Sequence, residues 1–94
     1  MTLEELQKFE NPKKAENPYF RNILPRWRDA MLHVWNGDLR TTPSYRLAEC
    51  IQLLESYSRI MIADEVFKAE IAAKCKKIVA ILQVNGHFID VEVD

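Results

Sequence analysis

A chain of 94 residues with net charge −1, 48% apolar and 29% charged, fits one folded domain, not a disordered segment or a basic nucleic-acid coat. Division would leave pieces too small to bury a core. No apolar run reaches the roughly 18 residues of a membrane span. Met1-Thr2-Leu3-Glu4-Glu5 also lacks the basic and apolar segments of a signal peptide. The expectation is a cytoplasmic protein with no membrane contact, whose Cys50 and Cys75 remain reduced thiols; a single bridge between two helices is the alternative. Charge is uneven: residues 13–46 carry seven Lys/Arg against three acids, and 47–94 carry five against eight.

Thr2-Leu3-Glu4-Glu5 matches the capping box that satisfies free amides at a helix start. A short helix over 2–11 follows, with Leu3, Leu6 and Phe9 on one side, and Asn11-Pro12 stops it. Residues 12–17 are polar and read as a linker. A second helix is expected over 18–36, started by Asn17-Pro18 through the cap-then-proline rule. Phe20, Leu24, Trp27, Met31 and Val34 step by four and three along its core face. Pro25 predicts either a kink or a short turn at 18–24 with the helix proper beginning at Pro25. Asn36-Gly37 predicts a left-handed cap.

Thr42-Pro43 predicts a restart by the same rule, giving helices over 43–60 and 64–83. Leu47, Ile51, Leu54, Ser58 and Met61 form one stripe, and Phe67, Ile71, Cys75, Ile78 and Leu82 another. From Ile51 to Phe67 the helical angle advances by whole turns plus about 160°, so the two stripes face different sides. Either the helix breaks near Ile60–Asp64 and folds back as a hairpin with Asp64 as cap, or one continuous rod recruits a second chain. A single compact core favours the hairpin. After Asn85-Gly86, residues 87–93 alternate apolar and acidic, which predicts a strand with no evident partner in the chain. The expected fold is therefore a single mainly α domain, a small bundle of about four helices with the first short, plus a C-terminal β segment.

Function is less determined. Tyr19, Arg21, Arg26, Trp27 and Arg28 combine residue types enriched at protein interfaces, and the bland reading puts Phe20 and Trp27 in the core. Ile89, Val91 and Val93 form the apolar face of the terminal strand, open to β-augmentation by a partner or a second copy. These residues make the expected function that of a non-catalytic protein-binding module: an adaptor, inhibitor or assembly subunit with a protein partner or as a homo-oligomer. The alternatives are a nucleic-acid-binding accessory protein, a winged-helix form of it included, and a small all-α enzyme holding an anionic substrate with Arg21, Arg28, Arg46 and Glu49. The acids Asp90, Glu92 and Asp94 on the would-be wing oppose phosphate. No metal or cofactor is expected, since Cys50, Cys75, His33 and His87 lack zinc-ligand spacing.

Overall fold

A computed structural model of the protein describes residues 1–84. The strand expected over 87–93, with Ile89, Val91 and Val93, lies outside the described residues. Those described are mainly helical: α1 (Leu3–Phe9), α2 (Pro12–Ala15), a 3-10 turn (Pro18–Phe20), α3 (Leu24–Asn36), α4 (Ser44–Met61) and α5 (Glu65–Val84).

The capping box at α1 forms in full. The Glu5 amide donates to the Thr2 hydroxyl at 3.1 Å, and the Thr2 amide donates to the Glu5 carboxylate at 2.7 Å. Leu6 is wholly buried, whereas Leu3 and Phe9 stay partly in solvent. Phe9 stacks on Phe67 of α5, centroids 4.2 Å apart, and so clips the short helix to the longest one.

Residues 12–17 are not simply a linker. Asn11-Pro12 ends α1 and also starts a single helical turn, α2, because the Asn11 side chain accepts from the Lys13 amide at 3.1 Å and proline occupies the first turn. Asn17-Pro18 repeats the device, with the Tyr19 amide donating to Asn17 at 2.9 Å. That start propagates only as the 3-10 turn. Of the two outcomes expected at Pro25, a kink within a helix over 18–36 or a short turn at 18–24 before the helix proper, the structure has the second: α3 begins at Leu24, with Pro25 in its first turn, where a missing N–H costs nothing.

Two local expectations are corrected. Gly37 is not a left-handed cap: its backbone is extended, φ −87° and ψ 170°. Glycine is needed there for closeness, since a Cβ would lie 2.8 Å from the His33 carbonyl oxygen and 3.0 Å from the His33 ring. Thr42 does not cap α4. Pro43 stands at the cap position, and the Thr42 hydroxyl donates to the Asp38 carbonyl at 2.9 Å while lying 2.9 Å from His33 Nε2.

The switch of apolar face is a break in the chain. Ile62 turns to extended backbone, φ −115° and ψ 128°, and forms an isolated antiparallel bridge with Glu10. The Asn11 amide donates to the Met61 carbonyl at 2.6 Å beside it. Asp64 then accepts from the Phe67 amide at 2.9 Å and opens α5. No glycine or proline is needed, because a buried Ile62 is held extended by the α1–α2 junction.

α4 is the central helix. It packs against α3 on one side and α5 on the other, and it buries Leu47, Cys50, Ile51, Leu53, Leu54, Ser58 and Met61. Two turns of direction make this a folded-back arrangement with no long continuous rod. Trp27 sits at its centre with no exposed surface, and its indole N–H donates to the buried Ser58 hydroxyl at 3.1 Å. That bond removes the cost of burying two polar groups.

Candidate functional site

The aromatic-basic segment separates into three environments. Tyr19 projects from the 3-10 turn and is 84% exposed, supported edge-on by Phe20 at 5.1 Å. Arg21 is also exposed. Trp27, by contrast, is core, and in this fold it presents nothing to a partner. Arg28 is turned to an internal task. Its Nε and Nη2 donate to both oxygens of Glu10 at 2.7 and 2.6 Å, a bidentate pair in which the acid is nearly buried. The hydrogen bond to Glu10 raises the Arg28 pKa further, against the opposing effect of burial.

Arg26 belongs to a second network, across α3 and α4. It lies 3.4 Å from Glu49, Glu49 pairs with Arg46 at 2.7 Å, and Arg46 reaches Asp29 at 2.6 Å. The hydrogen bond from Arg46, followed by that from Arg26, holds the Glu49 carboxyl below its usual range. Arg46 is raised, first through its bond to Glu49. The four charges therefore satisfy one another. The arginines and glutamate considered for an anion site are thereby divided: Arg46 and Glu49 pair across this ladder, while Arg28 is committed to Glu10 at the α1 end.

Both thiols are free and buried, in α4 and α5, and no disulfide joins them. Burial pushes the Cys75 thiol up to about 11 and raises Cys50 as well, so neither is a ready nucleophile. Among the described residues no group of three His, Cys, Asp or Glu is placed to hold a metal ion. No described helix is long and apolar enough to cross a membrane.

A concavity lies elsewhere, along the seam between α4 and α5. It is an open groove of about 870 Å³. Leu54, Ser58, Ile71 and Cys75 form its buried floor, with Ala72, Val79 and Ala80 above them. Arg59, Lys68 and Lys76 stand on its rim together with Glu55 and Glu65. Lys68 is paired with Glu65 at 3.1 Å. Among the described residues neither Arg59 nor Lys76 has an acidic partner.

Sequence reasoning did not find this groove. Its walls come from two helices, and its lining is alanines, ordinary core residues and scattered charges that carry no motif. The signal available was the displaced apolar stripe after Asp64, which implies a second seam along α4. Comparisons with family models, with curated proteins and with solved structures return no match to this chain.

Proposed function

We propose that the protein is a small non-catalytic protein-binding module, an adaptor, inhibitor or assembly subunit, working in the cytoplasm. The observation that carries this reading is the open α4–α5 groove. It offers apolar walls and, among the described residues, two cations without acidic partners, Arg59 and Lys76, along two of the longest helices, a shape that receives an extended or helical segment of another chain. Tyr19, Arg21 and Arg26 supply a second exposed contact region at the start of α3. Ile89, Val91 and Val93 extend the reading to self-association, in which a second copy is the partner. Buried free cysteines suit a reducing compartment.

The charges argue against the competing readings. A nucleic-acid surface at 19–28 retains Arg21 and Arg26 but loses Arg28 to Glu10 and shares Arg26 with Glu49. An enzyme would need converging groups with unspent charge, and the arginine–carboxylate sets here are mutually neutralised. Affinity capture with the immobilised full chain tests the proposal. It predicts one defined protein partner, lost on Arg59→Glu/Lys76→Glu and retained on Arg40→Glu. Recovery of no protein, or equal capture by both variants, would refute it. A gel shift at low salt that retards nucleic acid would favour the alternative.

A further inference from the structure

We propose that the outward face of α5 docks a second copy of this chain, as an antiparallel pair of α5 helices related by a twofold axis close to Ala73. This face lies on the far side of α5 from the core and is independent of the groove reading.

α5 is apolar on two opposite sides. Ile71, Cys75, Ile78 and Leu82 are buried in the core. Val66, Ala69, Ala73 and Ala80 lie about 140–180° around the helix from Ile71, and all four are exposed, Val66 at 71%. Of these four only Ala80 also borders the groove. Their steps of three, four and seven residues are those of a heptad seam. The outward side of α4 is different, for it carries Gln52, Glu55, Ser56 and Arg59. A helix that is apolar all round fits a place where both of its sides are covered.

Charge selects the second copy as the cover. Glu70 and Lys77 are exposed along one edge of the outward face, and among the described residues neither takes part in an ion pair. They stand two turns apart, about 10 Å along the helix, with the acid towards the N-terminus. Two parallel copies would set like charge against like. In the antiparallel pair each Glu70 meets the second copy's Lys77, twice by symmetry. Opposite charges at such flanking positions set partner and orientation in paired helices. The midpoint of the two positions falls between residues 73 and 74, so Ala73 sits at the crossing. Its methyl group lets the helix axes approach to about 8 Å, the near end of the range for packed helices. Lys74 does not obstruct, because its ammonium is turned towards α3, 5.3 Å from the centroid of the Trp35 ring. The same register sets Val66 near the second copy's Ala80, and Lys76 beside the seam adds to the positive charge that faces Glu70. Alanines bury little area, which places the pair at the weak, concentration-dependent end of interfaces.

Sedimentation equilibrium of the full chain, over a micromolar to millimolar series, tests the pairing. The wild-type mass should rise from one chain to two. Glu70→Lys and Lys77→Glu should each move the midpoint to about tenfold higher concentration, since two attractions become two repulsions. The double variant Glu70→Lys/Lys77→Glu should return it to the wild-type value. So should an equimolar mixture of the two single variants, in which unlike chains pair. Within one helix the two residues are too far apart to rescue each other, and mixing does not rescue a misfolded variant. Arg59→Glu, outside the face, should leave the midpoint in place. A wild-type chain that stays single throughout would overturn the proposal. So would a dimer indifferent to both single charge reversals, or one that neither the double variant nor the mixture restores. The groove reading is decided separately, by partner capture with the wild-type chain and its loss with Arg59→Glu/Lys76→Glu.

Discussion

The two flanks of α4 solve the charge problem in opposite ways. Facing α3, Arg26, Asp29, Arg46 and Glu49 are interleaved so that each cation has an acid within reach. Facing α5, the charges at the groove rim leave Arg59 and Lys76 unmatched among the described residues, beside the exposed Ala72 and Ala80. A closed, self-neutralised seam does structural work. An open one with unspent charge is where a ligand segment gains from binding. The difference teaches that the arginines most conspicuous in the sequence are largely consumed by the fold, while the less conspicuous Arg59 and Lys76 have no acidic partner among the described residues.

The comparison can be broken by mutation, the largest expected effects lying in the closed region. Trp27→Ala should destabilise the fold by about 3–5 kcal/mol, through the cavity and the stranded Ser58 hydroxyl. Urea unfolding monitored by circular dichroism checks this, and an effect near that of a surface mutation would remove Trp27 from the core. Arg28→Ala comes next, at about 3 kcal/mol, since it leaves Glu10 nearly buried without its partner. Gly37→Ala should cost about 1–2 kcal/mol, because the new Cβ meets the His33 backbone. Lys76→Glu should change stability within about 0.5 kcal/mol and yet abolish partner capture, the reverse of what Arg28→Ala does to stability. The smallest expected effects are chemical. With its thiol pushed up to about 11 by burial, Cys75 should resist alkylation at neutral pH in the native chain and react on unfolding, as read by mass spectrometry. Its folded pKa is raised, so any stability it contributes is present below the unfolded thiol pKa and is lost as pH rises towards the folded value. Glu49 has the opposite sign. Its folded pKa is lowered, so its contribution is present above the ordinary carboxylate pKa and is lost as pH falls through the depressed one.

Much of the helical scaffold was legible because periodicity reports burial. The stripe Leu24, Trp27, Met31, Val34 and the stripe Phe67, Ile71, Cys75, Ile78, Leu82 are buried as their spacing implies, and the phase jump between Ile51 and Phe67 corresponds to a real break at Ile62. Less legible were features set by contacts distant in sequence. Asn11-Pro12 carries a stop and a start signal at once, and only the bridge between Glu10 and Ile62 fixes both. Thr42 looks like a cap from its neighbours, but the Asp38 carbonyl and His33 take its hydroxyl. The site was harder still. Arg28 and Trp27 belong to interface-prone residue types, and the fold turns both inward because Glu10 and Ser58, far away in the chain, complete them.

The most direct test of the account is site-specific photo-crosslinking from inside the α4–α5 groove and from an exposed position outside it. A benzophenone side chain at Ala72, in the groove, should give a discrete adduct to a captured partner. The same group at the exposed Gln52 should give none. Equal, diffuse labelling from both positions would contradict the claim that the α4–α5 groove is the binding surface.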